Sequence, residues 1–276
     1  MTMNPQNLQS LKKTMAFKVS VAMVPILTIS SLIISPSAQA GQMNPGFENG
    51  LANWTPSGDV SLDTGLLGSG PLFGNSQALL TTASLEQDDS PSPAGAFNFS
   101  GNSAVSTGSP SDLETALGLS PGDLDISPFL QAFEGSAIVQ SFTVEEGETI
   151  SFSWNFLTND SNSDFPLTFG SPRDYAFIVL DGTITTLADT NSSLLSSSST
   201  LFNQETGFQT FTSNPLTAGV YTLGIGIVDI QDTASTSALL IDAPQETPVT
   251  TPEPSSKLGL LLLITLGVSS LVKRWS

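Results

Sequence analysis

From residue 41 to residue 243 apolar and polar side chains alternate along much of the chain, and helical spacing is rare. The clearest run is Ile150-Ser151-Phe152-Ser153-Trp154-Asn155-Phe156, four large apolar residues separated by three polar ones, the pattern of a half-buried strand. A second strand is expected over 138–144. Glu145-Glu146-Gly147-Glu148 supplies a turn between the two, so the pair reads as a hairpin. Residues 175–180 and 183–187 flank Asp181-Gly182, a dipeptide suited to a two-residue hairpin turn because both positions there take positive φ. Tyr221, Leu223, Ile225 and Ile227 alternate along 220–228, and 238–241 closes the series.

One helix is predicted. Ser111 and Glu114 have the spacing of a capping box, Leu113 and Leu117 lie one turn apart, and Gly118 can end the helix. It decorates a long connection between early and middle strands. Residues 192–200 read as a serine-rich loop with no packing role, and no internal repeat is present. Short strands joined by Gly, Pro, Asn and Asp turns predict an all-β fold over 41–246, an antiparallel β-sandwich of jelly-roll type with that one short helix. A body of roughly 200 residues buries a core without cross-links.

The two ends break the alternation. Lys12, Lys13 and Lys18 precede an apolar stretch over 19–34, and Ser37-Ala38-Gln39-Ala40 places the small residues Ala38 and Ala40 where a signal peptidase inspects. Residues 1–40 therefore read as a secretory signal peptide that leaves Gly41 first. At the other end, a turn-rich linker over 247–257 precedes the apolar run 258–272 and the basic Lys273-Arg274. About fifteen helical residues span ~22 Å, short of the ~30 Å hydrocarbon core. Ser255, Ser256 and a snorkelling Lys257 bring the 258–276 segment close to spanning. Basic residues at both ends keep those ends cytoplasmic and place the body outside.

Charge and composition then narrow the chemistry. The chain has 7 Lys+Arg against 25 Asp+Glu, a net charge of −18, and the body keeps only Arg173 as a cation. Such a body repels nucleic acid and anionic lipid. Arg173 stands beside Asp174, a local pair that contributes little on a surface. With no histidine and no cysteine, Ser-His-Asp and Cys-His catalysis and His-ligated zinc are excluded, as are disulfides. Carboxylate chemistry remains open, since a glycosidase needs only two acids at a set separation. Hard oxygen ligands make calcium the best-matched cofactor. Asp160, Asn162 and Asp164 are spaced like the first three ligands of an EF-hand loop. Phe165 and Ser171 stand where that loop needs Gly and Glu, which leaves either a solvated loop or a simpler calcium loop. Asp229 and Asp232 are a third choice. Among aromatics that could stack on a sugar, Trp154 and Tyr221 sit on apolar strand faces and are expected in the core, while Phe73, Phe97 and Phe99 lie in the early connection.

Two stretches resemble known families. Pro252-Glu253-Pro254, the following apolar helix and Lys273-Arg274 resemble the PEP-CTERM sorting signal of bacterial exopolysaccharide-associated proteins. That resemblance implies an exosortase-type membrane transpeptidase as partner, a transient membrane anchor, and a mature surface form lacking 258–276. Asn44-Pro45-Gly46-Phe47-Glu48-Asn49-Gly50-Leu51, then Trp54 and Ser57-Gly58-Asp59-Val60, resemble the first strand and turn of carbohydrate-binding jelly-roll modules. Leu239-Leu240-Ile241-Asp242 resembles their last strand. This second resemblance implies a structural calcium stapling first strand to last through Glu48 and Asp242, and a buried Trp54. The leading expectation is a secreted, non-catalytic structural or adhesive protein of the extracellular polysaccharide layer. The alternatives are a calcium-stabilised carbohydrate-binding module and, third, a carbohydrate-active hydrolase or lyase.

Overall fold

Residues 46–85, 95–108, 112–160, 174–231 and 233–244 are described by a computed structural model. The elements run β1 (Thr55–Ser57), β2 (Asp59–Asp63), β3 (Gln77–Thr81), β4 (Val105–Ser106), α1 (Leu113–Leu117), β5 (Ala132–Val144), β6 (Ser151–Thr158) and β7 (Tyr175–Leu180). They continue with β8 (Thr183–Asp189), β9 (Ser196–Ser197), β10 (Gln204–Glu205), β11 (Gln209–Thr212), β12 (Gly219–Ile230) and β13 (Ser237–Asp242). These strands form two antiparallel sheets. One has the order β1-β5-β12-β7-β8 with β4 also on β5; the other has β2-β3-β13-β6-β10-β9 with β11 also on β6. The fold is the expected all-β sandwich.

The alternation of β12 explains why two sheets face each other. Leu223, Ile225 and Ile227 point into the shared core, where they join Trp154, Phe156, Leu239 and Ile241. Burying each such side chain contributes about 1.5–3 kcal/mol. The opposite face of β12 carries Gly224 and Gly226 and then Val228 and Ile230. A Cβ on Gly224 would come within 2.4 Å of Leu117 Cδ2, so the missing side chain lets α1 press onto the sheet. Leu113, Leu117, Tyr175, Phe177 and Val228 form that second apolar layer. A third, with Leu79, Leu157, Phe202 and Leu240, lies on the outer face of the second sheet.

Several expectations need correction. β5 and β6 do not form a hairpin: β5 pairs with β1 and β12, while β6 pairs with β13, β10 and β11 in the other sheet. The turn between them therefore carries the chain across the sandwich. β6 is buried on both faces, not half-buried, because its polar residues find partners. Asn155 donates to Glu205 Oε2 at 2.8 Å and accepts from Thr206 Oγ1 at 3.2 Å. The helix is capped by Asp112, whose carboxylate accepts the Thr115 N–H at 2.7 Å. Glu114 turns inward instead and accepts the N–H groups of Gly122 and Leu124. Gly118 ends the helix in the left-handed conformation, as expected. Gly46–Asn53 is a series of turns, and the first strand begins only at Thr55. Part of the serine-rich loop is the short strand β9, paired with β10. The β7–β8 hairpin forms as read, with Asp181 at φ 47° and Gly182 at φ 76°.

Candidate functional site

The two ends of the strand bundle hold different chemistry. At one end, Glu48 and Asp242 approach closely enough for their charges to interact. The segment Leu72–Ser76 folds over them and supplies backbone donors. Asn75 N–H and Ser76 N–H donate to Glu48 Oε1 at 2.7 and 2.9 Å, and Asn75 Nδ2 donates to Oε2 at 3.3 Å. Phe73 N–H donates to Asp242 Oδ2 at 2.8 Å, and Ala243 N–H to Oδ1 at 2.8 Å. The chain passes this tightly only because residue 74 is glycine: it sits at φ +65°, and a Cβ there would lie 2.3 Å from Glu48 Oε1. The donors of Asn75 and Ser76 hold the Glu48 carboxyl below its usual range. Burial pushes Asp242 up, and the nearby Glu48 charge adds to this, against the pull of its three backbone donors.

Gln77 completes this corner. It is paired with Asp63 across β2–β3, and the β3–β13 register (Ala78 with Ile241) sets it beside Asp242. Its Nε2 donates to Asp63 Oδ2 at 2.7 Å and to Ser69 O at 2.6 Å. Its Oε1 is fully buried and has no hydrogen-bond partner among the described residues. Native structures rarely leave a buried oxygen so. Two carboxylates and an unsatisfied amide oxygen are the hard donors that calcium takes, so the residues present fit that ion. Among the described residues no group of three or more acidic side chains is placed to hold a metal. Sequence reading missed Gln77, because its place beside Asp242 depends on strand register.

At the opposite end, a polar seam joins the sheets. Asp174, just before β7, accepts Ile230 N–H at 3.1 Å and Ser237 Oγ–H at 2.7 Å, and hydrogen-bonds the Asp229 carboxyl. Ser237 Oγ lies 2.8 Å from Thr158 Oγ1, which accepts Asp160 N–H at 2.9 Å. Burial and then the Asp160 charge push the Asp174 carboxyl up to about 7. Asp160 and Asp229, taken from two separate sequence candidates, thus meet around a third acid. Asn162, Asp164, Arg173 and Asp232 lie outside the described residues, as do Ala38, Ala40 and Pro252-Glu253-Pro254.

A groove of about 430 Å³ opens where the β7–β8 hairpin faces β11 and the segment 213–216. Its floor is Ile178, Leu180, Phe211, Leu216 and Tyr221; its rim is Asp181, Thr183, Thr185, Thr212, Ser213 and Asn214. Phe211 is held by Phe152, ring centroids 5.3 Å apart, and Tyr221 Oη lies 3.0 Å from Thr217 Oγ1. Asp181 Oδ1 accepts Thr222 N–H at 2.8 Å, which fixes the hairpin tip. The volume falls in the range of about 300–1,000 Å³ found for small-ligand sites. Tyr221 is only partly buried and serves as floor as well as core. Trp154 is core, and Trp54 is buried against Phe47 at 5.9 Å. Phe97 packs against Phe202 at 4.9 Å, while Phe73 and Phe99 stay 38% and 37% exposed and neither lines the groove.

No family model matches the chain, and no curated protein matches it. Among solved structures, a carbohydrate-binding module, TmCBM61 in complex with β-1,4-galactotriose, aligns at 10% identity over 73% of this chain and 96% of its own, with a TM-score of 0.36. The mannan-recognising carbohydrate-binding module TmCBM27 aligns at 13% identity over 74% and 95%, TM-score 0.32. The enzymatically active domain of bacteriophage CBA120 tailspike protein 4 aligns at 12% identity over 72% of this chain and 20% of its own, TM-score 0.30. At these scores the assignment to the sandwich class rests on the chain's own two sheets.

Proposed function

We propose that this protein is an exported, non-catalytic carbohydrate-binding module that adheres to neutral polysaccharide of the extracellular layer through the groove floored by Phe211 and Tyr221. The groove carries the reading. Its apolar floor matches the C–H faces of a pyranose, and its hydroxyl, amide and carboxylate rim matches the hydroxyls around that ring. Its one charged lining residue is Asp181, so a uronate-bearing chain is repelled while a neutral one is not. The signal-peptide pattern of 1–40 and the Pro252-Glu253-Pro254 sorting pattern support delivery to the cell surface through an exosortase-type transpeptidase. Calcium, held by Glu48, Asp242 and Gln77, would fix the corner where the strand bundle begins and ends, and takes no part in sugar contact.

The test is affinity electrophoresis of the full chain in mild non-ionic detergent through gels containing galactan, mannan, β-glucan or alginate. Retardation by a neutral glycan, none by alginate, and loss of retardation in Asn214→Ala with Thr183→Ala are expected. Unchanged mobility in every gel, or release of reducing sugar during the run, overturns the reading.

A further inference from the structure

The far end of the first sheet carries a second cleft of about 430 Å³, lined by Thr107, Glu114, Gly122, Asp125, Gln131 and Phe133 among others. An irregularity in strand pairing builds it. Asp229 pairs with Glu134 but Ile230 pairs with Ala132, so Phe133 is the extra residue of a β-bulge. Bulges re-aim side chains and are enriched beside binding sites. Here the bulge leaves the Phe133 ring 43% exposed at the cleft, although the strand beneath it is buried. The backbone under the ring is tied down: Thr107 N–H donates to Phe133 O at 2.8 Å, and Thr107 Oγ1 donates to Ala132 O.

The loop leading into this strand presents another ring, Phe129, 72% exposed. Its position is held at a cost, because Gln231 adopts φ +73°, a strained value for a residue with a side chain. In that conformation Gln231 N–H donates to Gln131 O at 2.9 Å and its Nε2 donates to Phe129 O. Phe129 and Phe133 thus stand in solvent rather than in the core. Within the cleft, Glu114 is occupied by the N–H groups of Gly122 and Leu124. Asp125 accepts Ala132 N–H at 2.9 Å through Oδ1, and among the described residues its Oδ2 is left to receive a sugar hydroxyl.

We propose that the Phe133 cleft, with Phe129 at its approach, is a second glycan site for neutral polysaccharide, and that the domain cross-links polysaccharide by holding it at both ends. The inference rests on the groove reading for the first site. In the β5–β12 register Tyr221 faces Phe142 and Ile230 faces Ala132, nine residues further on. At about 3.4 Å per residue the two sites stand roughly 30 Å apart, too far for one sugar ring and well placed for two chains. Linking two weak sites raises avidity by about 10²–10⁴ without any new contact.

The experiment uses the full chain and whichever of galactan, mannan or β-glucan retards it. Calorimetry with a short oligosaccharide of that glycan reads the number of sites, and turbidity of the intact polysaccharide reads cross-linking. Wild type is expected to bind two equivalents and to raise turbidity. Phe133→Ala should bind one, lose the turbidity, and weaken apparent affinity for the polymer at least tenfold; Phe133→Trp should restore all three. An unchanged melting curve for Phe133→Ala, expected of an exposed ring, separates loss of site from loss of fold. One equivalent in wild type, abolished by the groove variants and untouched by Phe133→Ala, overturns this proposal and leaves the groove reading standing. Binding abolished by Phe133→Ala and untouched by the groove variants overturns both cross-linking and the groove.

Discussion

Glu48 and Asp174 are carboxylates at opposite ends of one sandwich, and the protein treats them in opposite ways. Glu48 meets backbone N–H groups and is held in its charged form; Asp174 meets two other acids in a buried seam and is pushed toward its neutral form. Asp242 lies between these cases, buried but supplied with three backbone donors. The difference teaches that burial sets the direction and donors only temper it: three backbone donors do not offset burial at Asp242, whereas the donors of Asn75 and Ser76 prevail at Glu48, where little burial opposes them. A chain with 25 acidic residues against 7 basic ones cannot rely on ion pairs for this. It uses its own backbone at one end and shared protons at the other.

Removing the acceptor at the first end should have the largest effect. Asp242→Ala leaves the N–H groups of Phe73 and Ala243 without a partner. Each unsatisfied buried donor costs about 1–3 kcal/mol. In a domain of this size that lowers Tm by roughly 5–15 °C in calorimetry; a loss of only a degree or two would mean that water replaces the carboxylate. Gly74→Ala comes next, at about 1–3 kcal/mol, because the added carbon meets the Glu48 carboxylate at a left-handed position. A neutral result there would show that the loop does not depend on the close approach.

The seam gives a pH signature of smaller size. The Asp174 pKa is raised from 3.8 to about 7 in the folded state, so folding favours the protonated form. The stability this provides is full below about pH 4 and is lost as pH rises through 7. Melting between pH 5 and pH 8 should therefore fall by several degrees in wild type and by clearly less in Asp174→Asn, which removes the titrating group and keeps one acceptor oxygen in the seam. Equal slopes in the two proteins would remove the seam from the comparison. The smallest effect expected is that of the cation. Millimolar calcium should raise Tm by a few degrees over EDTA, about 1–2 kcal/mol for a site of roughly 10⁻⁴ M affinity. Asp242→Asn should show no such rise. Identical wild-type melts in calcium and EDTA would leave the loop amides as the only partners of that corner.

Local pattern was enough to place the strands 150–156, 175–180, 220–228 and 238–241, because period-two alternation and turn dipeptides act within a few residues. It misassigned the partners of β5 and β6, since nothing local distinguishes a hairpin turn from a crossing between sheets. It likewise read Asn155 as lying on the polar face of a half-buried strand, although Glu205 of β10 and the following Thr206 cover it. Glu48 and Asp242 were legible as a pair only through resemblance, and the structure does bring them to one corner. Gln77, the Asp174 seam and the bulge at Phe133 carry no local signature, because each is made by register between distant strands. Phe211 was within reach: Gln209-Thr210-Phe211-Thr212 places an aromatic residue between polar ones in a short strand.

The meeting of Glu48 with Asp242 also means that the fold has no topological need for its present beginning and end. Residues 47 and 243 belong to one corner, whereas the turn over 191–194 lies between β8 and β9, outside both paired layers. A circular permutant that joins the corner through a short Gly-Ser linker and opens the chain in the serine-rich turn should assemble the same two sheets.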